Sequence, residues 1–226
     1  LHHDDAGNVR ECPTDVVGEI CVANPGVFPG STYTEADKNH KLFAEDIYLR
    51  TGDLGRLDSD GYLWITGRAK DLIIRGGHNI DPAEIEEAML SHPAVAFAGA
   101  IGQPDSFAGE LPCVYVELVA GAQASESELL AHAKAHIHER AAVPKHIEIL
   151  PELPTTAVGK VFKPALRKLA IARVLSAALE GTGVSVAEVA EDRRKGLTAR
   201  VSRAPGTDEA EVAKRLGEFT VPWEWT

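Results

Sequence analysis

Residues 67–86, GRAKDLIIRGGHNIDPAEIE, constrain the fold of this chain more than any other segment. Their short apolar run indicates a strand, and the glycine pair after it is more than an ordinary hairpin requires. Asp81 then stands as a helix N-cap, with Pro82 at the first helical position and Glu84 completing a capping box. A strand followed closely by a capped helix predicts a domain in which helices cover a sheet.

The segments after residue 90 repeat this alternation. Runs rich in β-branched residues predict three strands, at residues 94–101, 113–119 and 146–150. A second capping box, Ser125 with Glu128, predicts a helix that runs to about Arg140, and Pro164 begins a helix that ends near Gly181. The order α-β-β-α-β-α predicts a small α+β domain with a sheet covered by helices.

The two ends of the chain have other patterns. Residues 1 to about 66 predict short strands broken by turns. After residue 181, the segments VSVAEV and LTARVS can pair across EDRRKG, residues 207–216 predict a helix, and FTVPWEW predicts a closing strand. Trp223 and Trp225 alternate across Glu224, which indicates one buried strand face, with an interface role as the alternative.

The composition excludes several classes of function. A net charge of −11 argues against binding to nucleic acid, which requires a basic face. No apolar run approaches the roughly 20 residues of a membrane span, and we expect no signal peptide. The three cysteines form neither a CxxC pair nor a zinc site, so we expect a reducing cytoplasm. Because the chain begins with Leu1 and its single methionine is Met89, we expect a fragment that lacks its front part.

Two candidate sites do not withstand comparison with their motifs. Gly159 and Lys160 lack the earlier glycine and the following Ser or Thr of a P-loop, so they do not hold phosphates in that way. His132, His136 and His138 share one helix without a further ligand or a base, which favours a solvated helix face over a metal site. We therefore expect no metal ligands in this chain.

Three segments keep a functional interpretation beside an ordinary one. Asp53 lies in YLRTGDLG, predicted as a glycine-flanked turn after a strand, where a carboxylate can accept both hydroxyls of a ribose or merely cap the turn. The segment GRAKD is by itself typical of a solvated turn between two strands. Lys160 lies in LPTTAVGKVFKPALR, between a Thr/Gly loop and a helix start, so we expect it on a mobile element rather than in the core.

Taken together, the motifs YLRTGDL, GRAKDLIIRGGHNIDPAEIE and PTTAVGK resemble the C-terminal part of the adenylate-forming superfamily. That superfamily includes acyl-CoA synthetases, peptide-synthetase adenylation domains and firefly-luciferase-like enzymes. The motifs occur in the family's order, and the resemblance extends from about Val17 to Leu169. It implies that residues 1–67 are the β-rich end of a large AMP-binding domain, residues 68–170 a small mobile C-terminal domain, and residues 171–226 an extension.

The resemblance also implies roles for single residues. In such enzymes the large domain binds ATP and a carboxylate, and the small domain closes over the site in two poses. The first pose forms an acyl-adenylate, and the second transfers the acyl group to a thiol. Asp53 would hold the AMP ribose, and Arg68 would support the same nucleotide from the domain junction. Lys70 would be the hinge at which a few backbone torsions swing the small domain.

The remaining roles concern the two reactions themselves. Lys160 would be the adenylation lysine, which offsets the repulsion between the attacking carboxylate and the α-phosphate. Gly76 and Gly77 would leave room for the pantetheine arm of CoA, since any Cβ would narrow that passage. A side chain at Gly77 should then block transfer to the thiol with little effect on stability. The alternative is that the glycine pair merely makes a turn with positive φ, in which case a side chain at Gly77 should lower stability and harm both half-reactions through folding.

The resemblance implies an ATP-dependent ligase that joins a fatty or other simple carboxylic acid to CoA, with ATP, Mg²⁺ and CoA required by the intact enzyme. Two alternatives remain open: an adenylation domain that loads a carrier protein, and a binding module that kept the fold without the chemistry. The family's phosphate loop and acyl pocket belong upstream, so we expect the chain by itself to be inactive. Assembly into a homo-oligomer, through the missing domain or the extension, is also open.

Overall fold

The chain divides after Asp71 into two units, Leu1–Asp71 and Leu72–Thr226. The structure is a computed structural model and describes residues 1–3, 9–26, 39, 42–45, 47–203 and 205–226. Within those residues, four α-helices and 14 strands confirm the predicted α+β class.

Antiparallel strands make up the first unit, as predicted for residues 1 to about 66. Its longest strand is β5 (Tyr48–Leu57), which pairs with β3 (Gly18–Val22), β4 (Phe43–Ala44) and β6 (Leu63–Arg68). A separate ladder joins β1 (His2–His3) to β2 (Val9–Arg10). One turn of 3₁₀ helix, Ala69–Asp71, follows β6 and ends the unit.

A five-stranded sheet is the centre of the second unit. Its members are β7 (Ile73–Arg75), β8 (His78–Ile80), β9 (Val95–Asp105), β10 (Gly109–Leu118) and β11 (His146–Ile149). Strand β10 organises the sheet, because it runs antiparallel to β9, parallel to β11, and meets β7 where Gly109 pairs with Arg75. Strands β7 and β8 form an antiparallel hairpin, of which the sequence predicted only the first strand.

Strands β9 and β10 are longer than predicted, because they continue through Pro104 and Pro112. Proline in a sequence argues against a strand, since it lacks the amide donor of the ladder. Its carbonyl still accepts, and the Pro112 oxygen receives a hydrogen bond from the Lys145 amide at 2.8 Å. Because of the two prolines, the sequence did not predict that these strands join into one long hairpin.

The helices are α1 (Pro82–Leu90), α2 (Glu126–His136), α3 (Lys163–Ala178) and α4 (Glu209–Leu216). The capping box of Ser125 and Glu128 at α2 is confirmed. Asp81 caps α1 as predicted, accepting from a first-turn amide at 2.9 Å, but the predicted box with Glu84 is wrong. The Glu84 carboxylate accepts instead from the Glu139 amide beyond α2, at 3.3 Å. No helix in the described ranges combines the length and apolar composition that crossing a membrane requires.

The central sheet is covered on both faces, because alternate residues of β10 point to opposite sides. Val114 and Val116 belong to the core formed with α1 and α2. Cys113 and Tyr115 belong to a second core, formed with Leu166 and other residues of α3. The predicted arrangement of a sheet covered by helices is therefore confirmed, with two helices on one face and one on the other.

The residues after α3 form a second sheet with its own core. Strand β12 (Ser185–Asp192) pairs antiparallel with β13 (Gly196–Ser202), as predicted, and β14 (Trp223–Trp225) pairs parallel with β13. Leu175 in the second half of α3 and Leu179 directly after the helix pack into this core together with α4 and both tryptophans of β14. Helix α3 is thus shared between the central sheet and the extension.

We expect Leu175→Ala to lower the free energy of unfolding by about 2–5 kcal/mol, because it leaves a cavity where α3 meets the extension. Leu175 is 1% exposed, whereas Leu169 on the same helix is 45% exposed. Leu169→Ala is therefore the matched control, with an expected loss of at most about 0.5 kcal/mol. Urea unfolding followed by circular dichroism measures both, and equal stabilities would contradict the shared packing of α3.

Candidate functional site

Asp53 and Arg68 lie directly opposite each other on β5 and β6. The Arg68 Nε lies 2.8 Å from Asp53 Oδ1 in an ion pair, with 54% and 30% of the two side chains exposed. An ion pair this open to solvent contributes little to stability. Its effect is to orient the carboxylate and the guanidinium toward the same stretch of surface.

The prediction that Asp53 follows a strand is wrong, because the residue lies within β5. The glycines on both sides of Asp53 suggested a turn, but both lie within β5, where they allow an irregular strand. Gly52 has a φ of +73°, and a Cβ at Gly55 would lie 2.6 Å from the Trp64 carbonyl oxygen. The Asp53 amide donates to Thr51 Oγ1 at 3.1 Å, and this hydroxyl donates to the Ile20 carbonyl at 2.8 Å. These bonds hold the peptide of Asp53 in place.

Lys70 lies in the 3₁₀ turn of Ala69–Asp71, with an exposed side chain. The division between the two units follows this turn at once, after Asp71. The segment predicted as a solvated turn is therefore a short helical connection at the end of the first unit. Its position beside a division of the chain is the one that a hinge requires, and the hinge itself stays a prediction.

Gly76 and Gly77 form the two-residue loop of the β7–β8 hairpin, in which Arg75 pairs with His78. Their φ angles are +54° and +87°, the pattern of a type I′ turn, which positive φ at both positions defines. The expectation that no ordinary hairpin requires this glycine pair is therefore wrong. A Cβ at either position would meet no atom within 4 Å, so the turn borders open space. The turn is tied to the β9–β10 hairpin by the Gly76 amide, which donates to the Ala108 carbonyl at 2.8 Å.

Lys160 lies in a short hydrogen-bonded loop, residues 155–161, which we name the Lys160 loop. Its ends pair through Thr155 and Val161, and the Thr156 amide donates to the Lys160 carbonyl at 2.7 Å. Gly159 closes the turn with a φ of +78°. The Lys160 side chain is exposed, as predicted. The structure therefore presents an exposed cation on a closed loop that leads into α3.

Three residues beneath this loop were not singled out from the sequence. Glu86 of α1 forms an ion pair with Lys163 at the first position of α3, and Gly99 of β9 lies under Val161. One signal was available, because a lysine at a helix N-terminus is disfavoured by the helix dipole unless an acid accompanies it. No local pattern indicated which acid would do so.

Cys113 and His132 are two further titratable residues with shifted pKa values. Burial raises the pKa of the Cys113 thiol to about 12, so at neutral pH it is protonated and not a nucleophile. His132 stacks on His136 with ring centroids 3.9 Å apart, and burial followed by the charge of His136 lowers the pKa of His132. Across the described ranges, no group of three or more His, Cys, Asp or Glu side chains is arranged to hold a metal ion.

The site residues fall into two sets, one in each unit. Asp53 and Arg68 are brought into direct contact in the first unit, near the turn that carries Lys70. The glycine turn and Lys160 belong to the second unit. The first set offers a carboxylate for hydroxyl groups, and the second offers a cation for an anion. A nucleotide offers both partners, hydroxyls on its ribose and anionic oxygens on its phosphates.

This chain is similar to proteins of known family and structure. Residues 84–160 match the family model described as the AMP-binding enzyme C-terminal domain. The chain is 44% identical over 221 residues to a marinolic acid–CoA ligase from a Pseudoalteromonas species, which covers 96% of this chain and 34% of that protein. The likeness to this relative therefore includes most of the extension.

Solved structures show the same relationship. ATP-bound MatB from Rhodopseudomonas palustris matches with a TM-score of 0.66 and 34% identity, over 73% of this chain and 32% of that chain. The o-succinylbenzoate coenzyme A synthetase MenE from Bacillus subtilis, solved with ATP and a magnesium ion, matches with a TM-score of 0.60 and 37% identity, over 73% and 33%. The chain spans about a third of the length of these proteins.

A side chain at Gly77 should cost stability, which does not fit the expectation that stability there would change little. We expect Gly77→Val to lower the free energy of unfolding by about 1–2 kcal/mol, because a β-branched residue is strained at positive φ. Gly76→Asn is the matched control and should stay within about 0.5 kcal/mol, since asparagine is favoured at the first position of a type I′ turn. Urea unfolding of both variants tests this, and an unaffected Gly77→Val chain would contradict the turn.

Proposed function

Because residues 84–160 belong to the AMP-binding enzyme C-terminal domain family, we propose that this chain is part of an ATP-dependent ligase that joins a carboxylic acid to CoA. The observation that carries the proposal is the 44% identity over 221 residues to an acid–CoA ligase. In the first reaction a carboxylate oxygen bonds to the α-phosphorus of ATP and pyrophosphate leaves. In the second, the CoA sulfur bonds to the acyl carbon, the thiol proton is lost, and AMP leaves.

Asp53 is proposed to bind the ribose of the nucleotide. Its peptide is held by Thr51, and its carboxylate is oriented by Arg68 at 2.8 Å. A carboxylate oriented in this way accepts two adjacent hydroxyls as charge-assisted hydrogen bonds. Arg68 keeps its remaining donors for the phosphate side of the same nucleotide. The pair would thus fix the sugar while leaving the α-phosphorus accessible.

Lys160 is proposed to stabilise the transition state of adenylate formation. There, the carboxylate and the α-phosphate approach as two anions, and a cation between their oxygens offsets the repulsion. The exposed side chain on a closed loop suits this role, because the loop fixes the backbone while the ammonium group reaches outward. No step of this proposal is assigned to a metal held by the described residues of this chain.

The second unit is proposed to act in two poses, with the turn at Lys70 as the pivot. The chain divides one residue after Lys70, and few backbone torsions need to change at such a point. In the second pose, the turn of Gly76 and Gly77 would face the thiol arm of CoA. Open space around both glycines supports this, since a narrow chain can pass where no side chain projects.

The acid is proposed to be a simple carboxylic acid, without restriction to fatty acids. The relatives described above act by name on marinolic acid and o-succinylbenzoate. A cytoplasmic location is proposed as well, because ATP and CoA are available there. The cysteines Cys12, Cys21 and Cys113 are all free, which fits a reducing compartment.

The full-length protein tests the function directly. ATP–pyrophosphate exchange is measured with acetate, a long-chain fatty acid, o-succinylbenzoate and marinolic acid, and CoA is then added to the active combinations. We expect exchange with at least one acid and the matching acyl-CoA as product. Exchange without release of acyl-CoA would favour loading of a carrier protein. No exchange with any acid would favour a binding module without chemistry.

We expect Lys160→Ala to slow adenylate formation by about 10²–10³-fold, the usual effect of losing one transition-state charge partner. Thioester formation from supplied acyl-adenylate should stay close to wild type, because that step needs no charge at the α-phosphate. Lys145→Ala, which removes an exposed lysine of the same unit, is the matched control. Single-turnover assays measure the rates of both half-reactions. Equal losses in the two would show that Lys160 does not act specifically in adenylate formation.

We expect Lys70→Pro to impair one half-reaction and spare the other, since proline fixes φ near −65° and restricts the pivot to one pose. Lys70→Ala is the control, because it removes the same side chain and leaves the torsions free. The same single-turnover assays measure both variants. Wild-type rates for both half-reactions of Lys70→Pro would place the pivot elsewhere.

A further inference from the structure

We propose that Glu86, Gly99 and Lys163 form a seat that fixes the Lys160 loop to the second unit, so that they are positioning residues for Lys160. This inference rests on the function proposed for Lys160. Glu86 belongs to α1, Gly99 belongs to β9, and Lys163 is the first residue of α3. The three residues surround the point where the loop enters α3. We name these three residues the loop seat.

The first contact of the loop seat is an ion pair. Lys163 Nζ lies 2.8 Å from Glu86 Oε1, and only 20% and 21% of the two side chains are exposed. The same Glu86 oxygen accepts from the Ala100 amide of β9 at 2.8 Å. One carboxylate therefore joins α1, β9 and α3, and its burial makes the link stronger than a surface pair.

The position of Lys163 at the start of a helix favours its ion pair with Glu86. Lys163 is the first residue of α3, where the positive end of the helix dipole disfavours a cation. The carboxylates of Glu86 and Asp81 offset that effect. Lys163 acts on Asp81 in turn and lowers its pKa, although burial of this N-cap residue is the larger effect and raises it. Lys163 follows Lys160 by only three residues, so its anchoring fixes the end of the loop.

The second contact is steric. An added Cβ at Gly99 would lie 2.8 Å from Val161 Cγ1 and 2.6 Å from Leu166 Cδ1, both closer than such atoms approach in proteins. The φ of Gly99 is not in the left-handed region, so glycine is required here for space and not for conformation. Val161 is the residue next to Lys160, and it fills the notch that the missing side chain leaves.

The ion pair and the steric contact together fix the position of the Lys160 backbone. The loop is internally closed, since the Lys160 amide donates to Thr156 Oγ1 at 3.2 Å and the Phe162 amide donates to the Pro154 carbonyl at 2.7 Å. The loop seat then fixes this closed loop to α1 and β9. A displacement of about 1 Å at a reacting group can cost up to about 10²-fold in rate, so the anchoring of this backbone bears directly on the function proposed for Lys160.

The first experiment measures both half-reactions of the full-length protein. We expect Lys163→Met and Gly99→Ala each to slow adenylate formation by about 10- to 100-fold through kcat, with the KM for ATP changed less than about threefold. Thioester formation from supplied acyl-adenylate should be retained. One rescue follows from the geometry, because Lys163→Arg keeps the ion pair with Glu86, and this variant should return adenylate formation to within about threefold of wild type. Gly99→Ala has no single rescue, since its Cβ meets Leu166 Cδ1 as well as Val161 Cγ1.

Amide hydrogen exchange of the 226-residue chain gives a readout that does not need activity. In Lys163→Met and Gly99→Ala the amides of Lys160 and Phe162 should exchange at least about tenfold faster, while the amide of Val114 in the central sheet keeps its protection. Faster exchange at Val114 as well would mean global destabilisation and would overturn the inference. So would unchanged exchange in the loop.

The outcomes separate this inference from the proposed function. Wild-type adenylate formation by Lys160→Ala would defeat the role of Lys160 itself. A large loss in Lys160→Ala, together with wild-type rates in both loop-seat variants, would defeat only the inference. Equal losses in both half-reactions of the loop-seat variants, or no recovery of adenylate formation in Lys163→Arg, would also defeat it, since they indicate a general structural role.

Discussion

Helix α3 is buried along both of its halves against two different sheets, and the second unit depends on this arrangement. Leu166 and Ala170 pack against the central sheet, while Leu175 and Leu179 pack into the core of the extension. Complete burial of a leucine side chain contributes roughly 1.5–3 kcal/mol. The helix therefore links the stability of the sheet to that of the extension. The Lys160 loop leads directly into this helix and takes its position from it.

The candidate site depends on missing side chains as much as on charged ones. Gly52 and the pair of Gly76 and Gly77 are glycine because their φ angles are positive. Gly55 and Gly99 are glycine because another group occupies the space of a Cβ, the Trp64 carbonyl in one case and the Val161 side chain in the other. The glycines beside Asp53 let it lie within a strand, and Gly99 lets the Lys160 loop lie against β9. Neither charged side chain is used for packing. Charged side chains held in this way stay available to a ligand.

Much of the fold was predictable because its signals are local. The N-cap at Asp81, the capping box at Ser125 and the paired strands of the extension depend on residues close together in the sequence, and all are observed. The failures have the opposite cause. Pro112 lies inside a strand because its carbonyl finds a partner in Lys145, a residue far along the chain. The Glu84 carboxylate does not bond to its own helix start, because it accepts from the Glu139 amide in the segment after α2.

The sequence by itself predicted the resemblance to the family, the α+β class and the candidate site residues, since three motifs encode those features within short segments. Tertiary structure alone decided what holds those residues in place. The pairing of Asp53 with Arg68 depends on the register between two strands, and the contacts of Lys163 and Val161 depend on how α1 and β9 pack beneath α3. Such contacts join residues distant along the chain, and only the packing of whole strands and helices brings them together.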